Sequence, residues 1–288
     1  MTNTANQPPR SFPARLLASK LRSDISDDQS EIRELVIEID EPGFNCSAGQ
    51  SIGVLAPVPQ DSEAEFYLRW YSIADIPDRD DQGRPNVAIC VRRIITQDPI
   101  SGEEVRGHCS NYLCDLKPGA TLSVCGPKGI AFPIPADTSA NLILIGAGTG
   151  IAPFRSFIKT LYRKHPDWSG IVRLFYGTRT GLDVLYANDP SDDLKQYFDQ
   201  ETFDAFKALS PAPNWADPIA WDLAYSERGN ELLELMDDPK TYVYVAGREE
   251  TRNHLDSLFG KLLGSANLWN LKKQELAAAG RWAELVYK

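Results

Sequence analysis

Apolar and polar positions divide the chain into two regions of different period. Arg33 to Asp40 (RELVIEID) alternates apolar with acidic residues, as a strand with one wet face does, and Glu41-Pro42-Gly43 breaks it. The chain already reads as strand from Phe12. Further β-rich runs stand at Trp70–Ile73, Val87–Ile95 and Thr121–Cys125, with Gly/Pro turns at Asp81–Pro85, Lys117–Gly119 and Gly126–Gly129. Short strands with few helical segments predict an antiparallel β-barrel, with a β-sandwich as the alternative the pattern leaves open. Around Pro133–Ala140 the character changes. Asn141–Ile145 (NLILI) is a continuous apolar run, the mark of a strand buried on both faces of a parallel sheet. A glycine cluster and a helical stretch to about Arg163 follow. Similar runs at Ile171–Tyr176 and Thr241–Val245 end in Gly177 and Gly247. Strands alternating with helices predict an α/β doubly wound parallel sheet. The expected organisation is a flexible tail over 1–11, a barrel over 12–137 and an α/β domain over 138–288.

Length and composition fit two globular domains. The chain has 288 residues, 42% hydrophobic and 24% charged, and domains usually hold roughly 100–200 residues. No run approaches the ~18 apolar residues of a membrane-spanning helix. Met1 to Arg10 is polar and proline-containing, without the apolar stretch of a signal peptide, so a cytoplasmic location is expected. The net charge is −10, which argues against a nucleic-acid binder. Thirteen basic against twenty acidic residues precede Thr138. The five cysteines all lie in the first half, an odd number that reads as reduced thiols. Cys109 and Cys114 have C-x4-C spacing, but Lys117 stands where a plant-type iron–sulfur site needs its next ligand. His108, His165 and His254 are scattered, so no metal site is expected.

Gly146-Ala-Gly-Thr-Gly-Ile-Ala-Pro153 lies between a strand and a helix. Glycines there let a phosphate approach the backbone, and the helix start offers free N–H groups. Pro153 suits a first helical turn. Gly148, Thr149, Gly150 and Pro153 are therefore candidate nucleotide contacts. The G-x-G-x-G spacing does not distinguish NAD from FAD.

Four segments in order carry a resemblance. They are Arg69-Trp-Tyr-Ser72, the stretch Arg106-Gly-His-Cys-Ser-Asn-Tyr-Leu-Cys-Asp-Leu-Lys-Pro-Gly119, the turn GAGTGIAPFRSF from Gly146, and Gly280-Arg-Trp-Ala-Glu-Leu-Val-Tyr287. Together they resemble the ferredoxin–NADP(+) reductase family over nearly the whole chain from Phe12. The resemblance implies an FAD-dependent oxidoreductase passing electrons between NAD(P)H and a one-electron carrier such as ferredoxin, flavodoxin or another iron–sulfur protein. It assigns Arg69 to the FAD diphosphate as a planar, charged fork. Tyr71 offers a flat face to the isoalloxazine, and Ser72 stands near flavin N5. Cys90-Val-Arg-Arg93 resembles the family's C-V-K-R strand, which makes Arg92 a second diphosphate candidate beside Cys90. Gly107, His108, Cys109 and Ser110 sit at the helix start facing that diphosphate. Tyr287 is the aromatic that closes over the flavin, and Gly247 ends a strand near the nicotinamide. Ser226, Arg228 and Arg179 are candidates for the nucleotide phosphate. A docking patch for an acidic carrier is expected from Arg15, Lys20, Arg22, Arg92 and Arg93.

The chain also departs from the family. Ile95-Thr96 stand where a tyrosine often stacks on adenine. Ala246 replaces a cysteine, Leu285 replaces a glutamate two residues before the final aromatic, and Lys288 extends past Tyr287. Tyr225-Ser-Glu-Arg-Gly-Asn230 lacks the family's Lys/Arg-x-Tyr segment, and Glu227 would repel a 2′-phosphate. NADPH and NADH both remain open, with NADPH favoured. The alternative functions are the reductase component of an iron–sulfur oxygenase and a non-catalytic FAD- or nucleotide-binding subunit.

Overall fold

The computed structural model describes residues 9–23, 31–58, 66–98, 100–129, 132–178, 202–209, 219–226 and 228–287, without the side chains of 209, 223 and 226. The chain divides into two compact units, Met1–Ala131 and Phe132–Lys288. The division falls a few residues ahead of Asp137, and Phe132 accounts for the difference. Its ring stacks 5.2 Å from Phe154 and 5.0 Å from Tyr244, both in the second unit.

The first unit contains β1 (Ser11–Leu21), β2 (Ile32–Ile39), β3 (Ser51–Ala56), β4 (Tyr67–Ser72), β5 (Asp78–Arg79) and β6 (Pro85–Arg92). The hairpin β7 (Ile95–Gln97) and β8 (Glu104–Arg106), helix α1 (His108–Asp115) and β9 (Thr121–Lys128) follow. Strand order in the main sheet is β4-β3-β9-β1-β2-β6-β5, with antiparallel pairing. Just past β4, Ile73 bridges to Ile89 of β6, and the Ala74 N–H donates to Ala88 O at 2.8 Å. That contact joins the two sides of the sheet, so it closes as a barrel and not a sandwich. Alternation places Leu35, Ile37 and Ile39 of β2 in the barrel core with Ile52, Val54, Val87 and Ile89. Glu34 and Glu38 take the other face, where Arg22 and Arg15 meet them at 2.7 and 2.8 Å.

The second unit contains β10 (Asn141–Ala147), a 3-10 turn over Gly148–Gly150, α2 (Ile151–Lys164), β11 (Val172–Thr178), β12 (Phe203–Leu209), α3 (Trp221–Ser226) and α4 (Gly229–Asp237). It ends with β13 (Thr241–Arg248), α5 (Glu249–Leu262), α6 (Ala266–Ala278) and β14 (Trp282–Tyr287). The sheet is parallel, in the order β12-β11-β10-β13-β14. Every residue of β10 is buried, as its unbroken apolar run requires. One face, including Ile143, Phe175 and Val245, packs with Trp221, Met236, Phe259 and Trp269 of the later helices. On the other face, Phe157 of α2 meets Tyr244 at 5.7 Å. Strand order reverses between β10 and β13, and in such sheets ligands bind beyond the carboxyl ends at that reversal. Among the described residues, no helix is long and apolar enough to cross a membrane.

Candidate functional site

In the first unit the site residues gather where β4 meets the start of α1. The register pairs Ile52 with Tyr71, Val54 with Arg69 and Ala56 with Tyr67, so these three β4 side chains share one face. Arg69 is exposed, and Nη1 donates to Leu68 O at 3.1 Å. Tyr71 packs its ring partly against the barrel core. Burial, with the Cys109 and Cys114 thiols nearby, holds the Tyr71 hydroxyl protonated well beyond its usual range. Ser72 ends β4 on the opposite face from Tyr71. Cys90 is buried in β6 opposite Glu34, and Arg92 closes that strand opposite Ile32.

Helix α1 begins at Gly107 without a side-chain cap, which leaves its first N–H groups available to an anion. The turn is held from behind. Gly107 N donates to Ile94 O at 2.9 Å. The Ser110 hydroxyl donates to Gly107 O and accepts from Ile94 N, each at 3.2 Å. Asn111 Nδ2 donates to Ile94 O and Gly107 O, both at 2.9 Å. Arg93 in turn fixes Asn111. Its Nη1 donates to Asn111 Oδ1 at 2.9 Å, Nη2 to Asp115 Oδ1 at 2.8 Å, and Nε to Glu31. Burial raises the Glu31 pKa, but hydrogen bonds from Arg93 and Arg33 outweigh it and hold Glu31 below the usual carboxylate range. Sequence reasoning quoted Arg93 and Asn111 inside motifs and missed this clamp, since nothing local in the sequence marks Glu31 as their partner.

The Cys109 thiol is buried, donates to Tyr67 O at 3.2 Å, and is raised above its usual pKa by burial. Burial pushes Cys114 up to about 12. Both therefore pack as small, protonated side chains at neutral pH.

The expected basic patch is corrected in part. Arg15 pairs with Glu38, Arg22 with Glu34, and Arg93 with Glu31 and Asp115. Each guanidinium is paired with a carboxylate; those of Arg22 and Arg93 are buried as well, whereas the Arg15 side chain is 52% exposed.

In the second unit, β10 delivers the glycine turn to the point of strand reversal. Gly148 has φ +55, and a Cβ there would meet nothing within 4 Å. The turn is thus open above Gly148, as a cradle for a phosphate must be. A Cβ on Gly150 would lie 2.3 Å from Ala246 O, so that glycine lets the turn press against β13. Pro153 is buried in the first turn of α2. Thr149 Oγ1 stands 3.1 Å from the Tyr287 hydroxyl, which brings the chain's last aromatic to the same turn. Gly247 pairs with Val286, next to Arg248 opposite Tyr287.

The remaining phosphate candidates are Ser226, Arg228 and Arg179. Arg179 and Glu227 are outside the described residues, as is the Ser226 side chain. Arg228 donates from Nη1 to Glu231 Oε2 at 2.9 Å, and its guanidinium lies 4.8 Å over the Phe206 ring. Glu231 also accepts from Arg173 Nε at 2.9 Å. Glu284 turns away from the Tyr287 face, as three residues' separation in a strand requires. It meets Lys273 Nζ and Trp282 Nε1, each at 2.7 Å, so it offers no proton relay beside Tyr287.

Known proteins share both the sequence and the fold. Residues 144–255 match the family described as oxidoreductase NAD-binding domain. The chain is 31% identical over 258 residues to ferredoxin–NADP reductase of a Spirulina species, covering 87% of each. It is 34% identical over 257 residues to the chloroplastic leaf isozyme 1 of Oryza sativa subsp. indica, covering 83% of this chain and 67% of that one. The fold resembles ferredoxin–NADP+ reductase from Plasmodium falciparum, solved with 2'P-AMP, with a TM-score of 0.70, 20% identity and 96% of each chain covered. With this identity sustained through both units, the chain belongs to the ferredoxin–NADP reductase family.

Proposed function

We propose that the chain is an FAD-dependent oxidoreductase that carries electrons between NADP(H) and ferredoxin or a similar iron–sulfur carrier. The observation that carries this reading is the β4–α1 junction, where exposed Arg69 stands on the β4 face that bears Tyr71 and the uncapped start of α1 is tied to β4 through the Cys109 thiol on Tyr67 O. Those residues fit a flavin dinucleotide: a fork for the diphosphate, N–H groups beside it, and a flat ring. Bound flavin supplies the exchange between hydride and single electrons. Ser72 holds a hydroxyl at flavin N5, able to donate or accept a hydrogen bond. The Ser110 proton is committed to Gly107 O, so the α1 turn acts through Gly107, Cys109 and its backbone. Arg92 and Cys90 support the same diphosphate from β6. In the second unit the cradle above Gly148 takes the nucleotide pyrophosphate at the start of α2, with Pro153 and Gly247 shaping its edge. Tyr287, held at Thr149, is displaced when nicotinamide enters. Ser226, Arg228 and Arg179 are the groups assigned to the nucleotide's own phosphate. The assignment of flavin to the first unit and of the pyridine nucleotide to the second belongs to the same reading. So does a cytoplasmic setting, supported by five unpaired cysteines.

Anaerobic titration with NADPH and then NADH tests it. A tightly bound yellow chromophore that bleaches rapidly is expected, with NADPH the better reductant. A colourless protein that takes up no FAD would sink the reading, and bound flavin that neither nucleotide bleaches would leave a non-catalytic subunit.

A further inference from the structure

The rings of Tyr67 and His108 stack face to face, 4.2 Å between centroids and 6° between planes. They come from different elements, since Tyr67 opens β4 and His108 is the first residue of α1. The Cys109 thiol, donating to Tyr67 O at 3.2 Å, ties those two starts together. His108 is exposed, and Tyr67 is not among the partly buried residues that pack against the barrel core. The pair is therefore a flat aromatic surface at the protein's edge, with the outer face of His108 toward solvent.

Its position gives it a ligand. Tyr67, Arg69 and Tyr71 project from one face of β4 at two-residue intervals. At ~3.3 Å of rise per residue, Arg69 lies about 7 Å from each ring-bearing position, and the two tyrosines are about 13 Å apart along the strand. A ring, a fork for diphosphate and a second ring thus follow one another in a line. That is the order of groups in a dinucleotide. His108 also contributes its backbone to the uncapped α1 start, so one residue faces both an anion and whatever stacks on its ring. The neighbouring β7–β8 hairpin cannot supply a competing platform, because no aromatic residue occurs from Ile95 to Arg106. Aromatic side chains at exposed, cationic sites are what nucleobases stack on.

We propose that Tyr67 and His108 form the platform for the adenine ring of the flavin dinucleotide, with His108 the ring in contact with the purine. The proposal rests on the FAD reading above. It explains how the chain selects a flavin that carries adenine without a ring in the β7–β8 hairpin.

The test compares FAD with FMN, which lacks adenine. Flavin is removed from the full-length protein, and the Kd of each flavin is measured by fluorescence quenching for wild type, His108→Ala, His108→Phe and Tyr67→Leu. His108→Ala is expected to weaken FAD about tenfold, the size of effect that losing a base-stacking ring produces, and to leave FMN unchanged. His108→Phe, which keeps a ring, should restore FAD affinity to near wild type. Tyr67→Leu should show the same FAD-selective loss and stands in if His108→Ala fails to fold. The proposal is overturned if the alanine variant weakens both flavins equally or leaves FAD within twofold of wild type. If wild type itself binds neither flavin, the flavoprotein reading falls with it.

Discussion

At the scale of single residues, two glycines of one turn have different tasks. Gly148 carries a positive φ and looks into open space, whereas Gly150 is pressed against the backbone of β13. Alanine at 148 adopts the left-handed region at about 1–2 kcal/mol and places a methyl group in the cradle. It should unfold only slightly earlier than wild type but bind NADPH at least tenfold more weakly. Alanine at 150 meets Ala246 O at 2.3 Å and Ala246 C at 2.7 Å, backbone atoms that cannot step aside. It should lose about 3 kcal/mol or fail to fold. Thermal unfolding with a nucleotide titration separates the two, and an unperturbed Gly150→Ala protein would refute the close approach. The sequence marked both glycines, because a glycine-rich turn between strand and helix is a local signal. It did not assign them separate tasks, since those depend on Ala246, which lies far along the chain.

At the scale of elements, legibility followed the same division between local and distant. β2 and β10 announced themselves by period. β3 was missed because Gly53 interrupts SIGVLA, and the reason for that glycine is the Cys125 sulfur, 2.5 Å from where a Cβ would stand. β12 was missed because FDAFKAL is polar for a parallel strand. It lies at the sheet edge, where Asp204 can reach out to Arg173 at 3.0 Å. The α1 motif was readable, but the clamp beneath it joins Glu31, Arg93, Asn111 and Asp115 from three segments. Replacing Glu31 with Gln should cost about 2 kcal/mol. That is less than the ~3–5 for a stranded buried charge, because Asp115 and Asn111 still hold Arg93. Glu31 is held below its ordinary pKa, so the ionised form favours the fold. Its contribution is complete above the usual carboxylate value of ~4.3 and disappears as pH falls through the lowered one. The Tm gap between wild type and Glu31→Gln should therefore stay constant above about pH 5 and shrink below about pH 4. A gap that is flat down to pH 3 would show that Glu31 does not hold Arg93.

At the scale of the whole molecule, charge becomes the informative property. The protein carries −10, and ferredoxins are typically acidic, so encounter works against repulsion unless a cationic patch overrides it. Three of the five cations expected in such a patch, Arg15, Arg22 and Arg93, are paired with carboxylates at 2.8, 2.7 and 2.8 Å. Lys128, 5.0 Å over the Trp70 ring, and exposed Arg69 stand as cations at β4 against the net charge of −10. Salt screens such repulsion over a Debye length of ~10 Å at 0.1 M. The second-order rate of electron transfer to an acidic ferredoxin should therefore rise severalfold as ionic strength increases from about 10 mM to 0.2 M. With NADPH saturating, an uncharged quinone acceptor should show no such change, which separates docking from the nucleotide step. Stopped-flow measurement of both acceptors decides the matter. A rate that falls steeply with salt would mean that attraction dominates, and the cations responsible would then have to lie outside the Arg15, Arg22 and Arg93 pairs.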